Sequence, residues 1–327
     1  MRILITGSEG YLGSHLVKVL TTAGHWVTGL DIKFSKNTNQ NMDFIQGDFC
    51  DLNLLKNLMK EARPDAVIHL AALKSVQESF SIPLRYNDVN TLATLKLGNI
   101  CIDSNVKKFV FISSAAVYGD CGSKAITEDS HLQPASPYGE SKLQAEIGLA
   151  EIFSNVETCS LVVLRLFNLF GSDRQLANST ELISGQNLQS YIARSLVNSE
   201  TLTIFKSTFP TRDGSTVRDY IHPRDASLAI ELLLRTNLID DRVINLGSGI
   251  GISTLELLQQ LNAKLTNPIQ LKLQDPKPGD ISHAVANIDR ISSLIQWKPH
   301  YSNLDSLLDV FKVLDEAQWH PLRKRFF

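Results

Sequence analysis

Short apolar runs alternate along the first half of this chain with longer stretches in which apolar residues recur at helical spacing, and that alternation leaves few folds open. Ile3-Leu4-Ile5, Val27 to Asp31, Phe44-Ile45-Gln46, Ala66 to Leu70, Phe109 to Ser113 and Ser160 to Leu166 read as buried strands. Between them Leu12, Leu16, Val19 and Leu20 mark one helix, and Leu54 to Glu61, Val89 to Ser104 and Glu140 to Phe153 read as three more. Strands and helices in this order are satisfied by parallel strands joined through right-handed crossovers, with helices over both faces. The expectation is an α/β chain built on a doubly wound parallel sheet.

After about residue 170 the pattern loosens. Gly171 to Gly185 is polar and loop-like, Leu188 to Leu196 is an apolar helix, Leu202 to Phe205 is a short strand, and Thr211 to Ser215 is a polar turn. A helix through Ala226 to Leu234 and a strand at Val243 to Gly247 are expected to return to the sheet. The remainder, punctuated by Pro268, Pro276, Pro278 and Pro299, reads as a less regular lobe. The division expected is residues 1–170 as the first domain, with segments such as 220–250 returning to it, and 171–327 as a smaller mixed α/β lobe. No internal repeat or low-complexity linker separates the two.

Charge and cysteine usage narrow the function classes. The 327 residues carry 32 basic and 34 acidic side chains, with no like-charged block beyond Arg323-Lys324-Arg325. A nucleic-acid binder or membrane-surface protein needs a basic face, so neither is expected. Cys50, Cys101, Cys121 and Cys159 form no CxxC pair, which suggests free thiols and no metal site. Leu161 to Phe170 is interrupted by Arg165 and is about half the ~20 residues needed to span a bilayer. The chain opens directly on its first strand without a signal-peptide pattern, so a cytoplasmic protein is expected.

Gly7-Ser8-Glu9-Gly10-Tyr11-Leu12-Gly13 lies between the first strand and the first helix. Glycines there allow a tight turn, close approach of backbone to a pyrophosphate, and close packing of the helix, whose N-terminus faces the anion. Asp31 ends the second strand 18 residues after Gly13, where a carboxylate accepts from a ribose diol and repels a 2′-phosphate, favouring NAD over NADP. This is a Rossmann-type arrangement. The GxxGxxG spacing resembles the extended short-chain dehydrogenase/reductase superfamily. That resemblance implies that Asp48 and Phe49 hold adenine, that Leu70, Ala71, Ala72, Lys74 and Phe167 line the cofactor, and that Asn90 heads a motif similar to the superfamily's NVxGT.

Tyr138 and Lys142 stand four apart on one helix face. A tyrosine of ordinary pKa, about 10, is a poor base at neutral pH, so a nearby ammonium and the positive nicotinamide must favour its phenolate. By the same resemblance Ser114, at the end of the Phe109 strand, bonds the substrate hydroxyl and relays its proton.

Ala72 to Ser79, Ser114 to Gly119 and above all Phe209 to His222, with its Pro-Thr-Arg-Asp-Gly-Ser-Thr-Val-Arg-Asp-Tyr-Ile-His run, are similar to the UDP-glucose 4-epimerase family, and the match extends to about residue 300. The resemblance implies Lys74 near the phosphates, Ser114, Ala115, Tyr138 and Asn168 near the sugar, and Asn187, Leu188, Thr203, Ile204, Phe205, Arg218, Lys277 and Asp280 around UDP. An ion pair of Arg218 with Asp219 or Asp225 is the alternative for that arginine, and a solvated role the alternative for Lys277. His222 is expected to be structural. The implied reaction is NAD-dependent epimerisation at carbon 4 of a UDP-hexose through a transient 4-keto sugar, in a homodimer joined through the helices at Val89 to Ser104 and Glu140 to Phe153.

A related 4,6-dehydratase needs an additional acid and base after the serine, and Ala115 and Ala116 transfer no proton. Leu166, where tyrosine is frequent, the small Ala284, and the unusual Ser172 to Ser184 loop keep UDP-N-acetylhexosamines and UDP-uronic acids open as substrates. A nucleotide-sugar dehydrogenase or reductase and a non-catalytic NAD or nucleotide-sugar sensor are the competing classes.

Overall fold

Ile3, Leu4 and Ile5 are buried on both faces of β1 (Arg2–Thr6), an interior strand of a seven-stranded sheet. In the computed structural model, residues 1–34, 41–173, 176, 183, 185, 187–205, 209–236, 243–275 and 281–315 are described. The order along the sheet is β10, β6, β5, β4, β1, β2, β3, and every pairing is parallel. The other strands are β2 (Trp26–Asp31), β3 (Met42–Gln46), β4 (Ala66–His69), β5 (Lys108–Ser114), β6 (Ser160–Leu166) and β10 (Val243–Leu246).

Strand alternation sorts the apolar side chains into two cores. Ile3, Ile5, Val110, Ile112, Val162 and Leu164 face one way, against α1 (Tyr11–Thr22) and α8 (Pro223–Arg235). Leu4, Phe109, Phe111, Leu161 and Val163 face the other way, against α2 (Leu52–Ala62), α5 (Thr94–Asp103) and α6 (Pro137–Ile152). The doubly wound parallel sheet read from the sequence is therefore the architecture found. The buried Lys108 ammonium donates to the carbonyls of Leu233, Leu234 and Thr236 at 2.9, 3.0 and 2.5 Å, placing a cation on the negative end of α8.

Between α3 (Val76–Ser81), α4 (Pro83–Tyr86) and α5 the backbone is not the uninterrupted α-helix that apolar spacing from Val89 predicts. Asn87–Ala93 is wound as a π-helix. Its widened turn presents Asn90 and Thr91 to α6: Asn90 Nδ2 donates to Ser141 Oγ at 3.1 Å and Thr91 Oγ1 to the Ser141 carbonyl at 2.8 Å.

The second lobe is built from β7 (Asn168–Leu169), β9 (Val217–Ile221), β11 (Gly251–Ser253) and β13 (His283–Ala284) as a four-stranded sheet, and from β8 (Leu202–Phe205) paired with β12 (Leu271–Gln274). A third apolar cluster joins them to α7 (Leu188–Asn198), α9 (Thr254–Asn262) and α11 (Leu304–Asp315) through Phe170, Ile192, Tyr220, Leu257, Leu307 and Phe311. A short α10 (Asp289–Ile295) packs against the first lobe through Ile291. Among the described residues no helix is long and apolar enough to cross a membrane, and all four cysteines are free thiols.

Candidate active site

All six strands from β1 to β6 end on the same edge of the sheet. The chain runs from β1 outward through β2 and β3, then returns to the other side of β1 for β4, β5 and β6, so the connections diverge between β1 and β4. A crevice at such a point takes ligands at the carboxyl ends of the strands. Gly7 turns the chain there with a φ of +77°, and a Cβ on it would stand 2.8 Å from the Ala71 backbone nitrogen. Gly10 begins α1 with no side-chain cap, so the first turn at Tyr11, Leu12 and Gly13 keeps its amides for an anion. The buried Asp31 carboxylate is aimed by two backbone bonds, from Glu9 N and Lys33 N, each 2.9 Å. This backbone cradle beside an oriented carboxylate fits a dinucleotide.

The remaining cofactor candidates line the same edge. Asp48 is exposed and accepts from Cys50 N at 2.9 Å, and the buried Phe49 ring stands edge-on to His69. Leu70, Ala71 and Ala72 leave β4 half-buried, followed by the exposed Lys74. Asn90 does not project outward: it accepts from Leu73 N and donates to Leu73 O, both at 2.9 Å, and so fixes this loop to α6 through Ser141. Phe167 is buried beside Tyr118.

The serine pair at the end of β5 is divided by strand alternation. Ser113 is buried and donates to Glu146, whereas Ser114 accepts from Ala116 N at 3.2 Å and stands near enough to the Tyr138 phenol to influence its proton. Helix α6 brings Tyr138 there because Ser136 caps it, accepting from Gly139 N at 3.1 Å, with Pro137 at its first position. Gly139 makes the approach possible, since a Cβ on it would stand 2.5 Å from the Ala116 carbonyl oxygen.

One turn on, Lys142 is buried with its ammonium 4.4 Å from the centroid of the Phe111 ring. Burial pulls its pKa down to about 7, against the opposing pull of Glu146. Burial also raises the Tyr138 pKa, and the nearby Ser114 hydroxyl opposes that rise in part.

Asn168 is exposed on β7, paired with Tyr220 of β9. Arg218 lies on β9 in register with the buried Ala284, and its Nη2 donates to the Ile281 carbonyl at 2.7 Å. The two carboxylates considered as its partners are engaged elsewhere. Asp219 accepts from the backbone of Ser248, Gly249 and Ala286 and from Ser248 Oγ. Asp225 accepts from His300 N, Tyr301 N and Ser302 Oγ. Asn187 caps α7, accepting from Ser190 N at 2.9 Å, with Leu188 opening that helix. Thr203, Ile204 and Phe205 run along β8, with Thr203 exposed and Ile204 buried. Ala115 opens the short turn Ala115–Val117. Lys277, Asp280 and most of the Ser172 to Ser184 loop lie outside the described residues. His222 caps α8 through its ring, which accepts from Arg224 N at 3.1 Å, and burial lowers its pKa to about 4.

Sequence reasoning passed over Glu146, although its place one turn beyond Lys142 on α6 was a usable signal. It also passed over Gln189, which no local pattern marks.

A doubly wound sheet with a glycine cradle at the switch point, an acid ending β2, and serine, tyrosine and lysine gathered at the end of β5 defines an extended short-chain dehydrogenase/reductase type of protein. The family model for the NAD dependent epimerase/dehydratase family matches residues 3–247. The chain belongs to that family. It is 33% identical over 98% of its length to a UDP-glucose 4-epimerase of Lactobacillus helveticus, 97% of which is covered. It superposes with a TM-score of 0.87, at 32% identity and 99% coverage of both chains, on a UDP-glucose 4-epimerase from Stenotrophomonas maltophila crystallised with NAD and formylated UDP-arabinopyranose. A UDP-N-acetylglucosamine 4-epimerase from Methanobrevibacter ruminantium, solved with UDP-N-acetylmuramic acid, aligns with a TM-score of 0.81 at 30% identity, covering 95% of this chain and 98% of that one.

Proposed function

We propose that this chain is an NAD-dependent isomerase that inverts carbon 4 of a UDP-hexose, the UDP-glucose/UDP-galactose interconversion. The placement of the Tyr138 phenol near Ser114, on the same helix as the buried Lys142 one turn on, carries this reading. Gly7, Gly10, Tyr11, Leu12 and Gly13 would hold the NAD pyrophosphate, Asp31 its ribose, Asp48 and Phe49 its adenine, and Leu70 to Ala72, Lys74, Lys142 and Phe167 would complete the groove, with Asn90 fixing the loop after Ala72 from behind. Bound NAD supplies a reversible hydride acceptor and a positive ring.

Tyr138 takes the proton of the sugar 4-hydroxyl, directly or across Ser114, and returns it to the same oxygen once the 4-keto sugar has turned its other face for the hydride to come back to carbon 4. Lys142 favours the phenolate while it remains an ammonium. Arg218, with Lys277, suits the diphosphate, because a guanidinium donates two parallel bonds. Asn187, Leu188, Thr203 to Phe205 and Asp280 are assigned to the uridine side, and Asn168 and Ala115 to the sugar. Ala115 and Ala116 offer no second acid or base, so the 4-keto sugar is reduced again rather than dehydrated.

Phe80, Leu84, Leu92 and Ile147 are exposed along α3 to α6, Leu84 to 79%, which supports a homodimer through this surface. A cytoplasmic location accords with the free thiols. One observation favours a second reading of the substrate. Ala284 is small and belongs to the buried cluster of Val117, Tyr118, Leu143 and Phe167, and a small residue at this position suits a bulkier, N-acetylated sugar.

The test is incubation with UDP-galactose, UDP-N-acetylgalactosamine and UDP-galacturonate separately, without added cofactor. The expected result is the 4-epimer with no net NADH. Stoichiometric NADH would indicate a dehydrogenase, and no conversion of any of the three would remove the epimerase assignment.

A further inference from the structure

Tyr11, His15 and Lys18 follow one another along a single face of α1, and all three reach the segment that leaves the first lobe. Tyr11 Oη donates to the Gly171 carbonyl, His15 Nε2 accepts from Asp173 N at 3.2 Å, and the Lys18 ammonium lies 3.2 Å from the Asp173 carboxylate. His15 Nδ1 faces the Tyr11 carbonyl at 2.9 Å, so the ring is neutral, with its proton on Nδ1. The second lobe closes the same knot. Gln189 Oε1, on α7, accepts from Gly171 N at 2.6 Å and lies 3.1 Å from Tyr11 Oη. Gln189 is only 4% exposed, so this oxygen has little access to water.

The two ends of this tie are the two ligand-bearing elements of the protein. Tyr11 is the first residue of α1, directly after Gly10 of the dinucleotide cradle. Gln189 follows Leu188 and the cap Asn187, assigned above to the uridine side. We infer that Tyr11 and Gln189 are positioning residues: their shared hydrogen bonds hold α7 in register with the dinucleotide loop, so the Tyr11 hydroxyl supports nucleotide-sugar affinity without touching the nucleotide sugar. The physical basis is that the two side chains grip Gly171 from either side: losing the Tyr11 hydroxyl leaves the Gly171 carbonyl without its donor, losing the Gln189 oxygen leaves the Gly171 amide without its acceptor, and either loss lets Gly171 and α7 shift, moving Asn187 and Leu188. The inference rests on the UDP-sugar reading.

The test is a double-mutant cycle on the NAD-loaded protein with Tyr11→Phe, Gln189→Leu and both together. UDP is titrated by calorimetry, and KM and kcat are measured with the substrate found above. Each single variant is expected to weaken UDP binding about five- to tenfold, raising KM more than it lowers kcat, and the double variant to be no more than about twofold worse than the weaker single one. Tyr11→Phe deletes one oxygen and keeps the backbone amide, so it guards against a folding defect in Gln189→Leu. Wild-type UDP affinity in Tyr11→Phe, or additive losses in the double variant, would overturn the inference while leaving the epimerase reading intact. If wild-type protein itself binds no UDP, the functional reading falls and this inference with it.

Discussion

Glu146 and Arg165 form a buried, two-pronged ion pair beneath the candidate catalytic lysine. Arg165 Nη2 lies 2.7 Å and Nε 3.1 Å from Glu146 Oε2, and the two side chains are 5% and 6% exposed. Arg165 also donates to Tyr118 Oη at 3.0 Å, and Tyr118 donates to Asn245 at 2.6 Å, so the pair anchors β6, α6 and β10 together. Glu146 is in turn the carboxylate that opposes the loss of charge on Lys142.

Glu146→Gln is expected to destabilise the protein by about 3 kcal/mol, because it leaves a buried guanidinium without its counter-charge. The midpoint of urea unfolding measures this. A midpoint equal to wild type would show the pair to be dispensable.

Lys142 gives stability a specific pH dependence. Its folded pKa of about 7 lies below its ordinary 10.5, so between those values the unfolded chain binds more protons than the folded one. The Lys142 contribution therefore rises with pH across that window and is lost as pH falls through 7. Unfolding of the cofactor-free protein at pH 7 and pH 10 should show a gain toward high pH that Lys142→Met removes.

Tyr138→Phe keeps the ring and its edge-on contact with Tyr86 but deletes the proton-transferring oxygen. Turnover is expected to fall roughly a hundred- to ten-thousandfold. NAD should remain bound, as read by absorbance after gel filtration. Substantial residual epimerisation would assign the base elsewhere.

Gly139→Ala tests how closely α6 must approach β5. The new methyl would meet the Ala116 carbonyl oxygen at 2.5 Å, a backbone atom that cannot rotate away. If the helix retreats by ~1 Å, kcat should fall about a hundredfold. A kcat within twofold of wild type would show that the Ser114–Tyr138 geometry tolerates the displacement.

Ala284→Tyr tests whether the small residue at this position admits an N-acetylated sugar. Where the wild-type protein turns over a UDP-N-acetylhexosamine, this variant should lose at least about tenfold in kcat/KM for it while retaining more of its activity on the unsubstituted UDP-hexose. Equal losses on both sugars would place Ala284 away from the N-acetyl group.

The amino-acid sequence alone determined what depends on local spacing. Continuous short apolar runs and period-3.6 apolar patterns select strands and helices through burial, and a glycine loop between Ile5 and Leu12 specifies a turn that bulkier residues cannot make. Tyr138 and Lys142 share a helix face because they are four residues apart. The π-helical turn at Asn87–Ala93 escaped this kind of reading, because its hydrogen bonds answer to α6 rather than to the segment's own spacing. The tertiary structure decided the rest. Which serine of the Ser113–Ser114 pair meets the phenol depends on how β5 presents its alternate faces. The pairing of Arg165 with Glu146, 19 residues apart, and of Tyr11 with Gln189, 178 apart, requires elements distant in sequence to be packed side by side. Such contacts leave no periodic trace, because a buried polar group needs only one partner in the right direction, and that direction exists only once the sheet and its helices have closed around it.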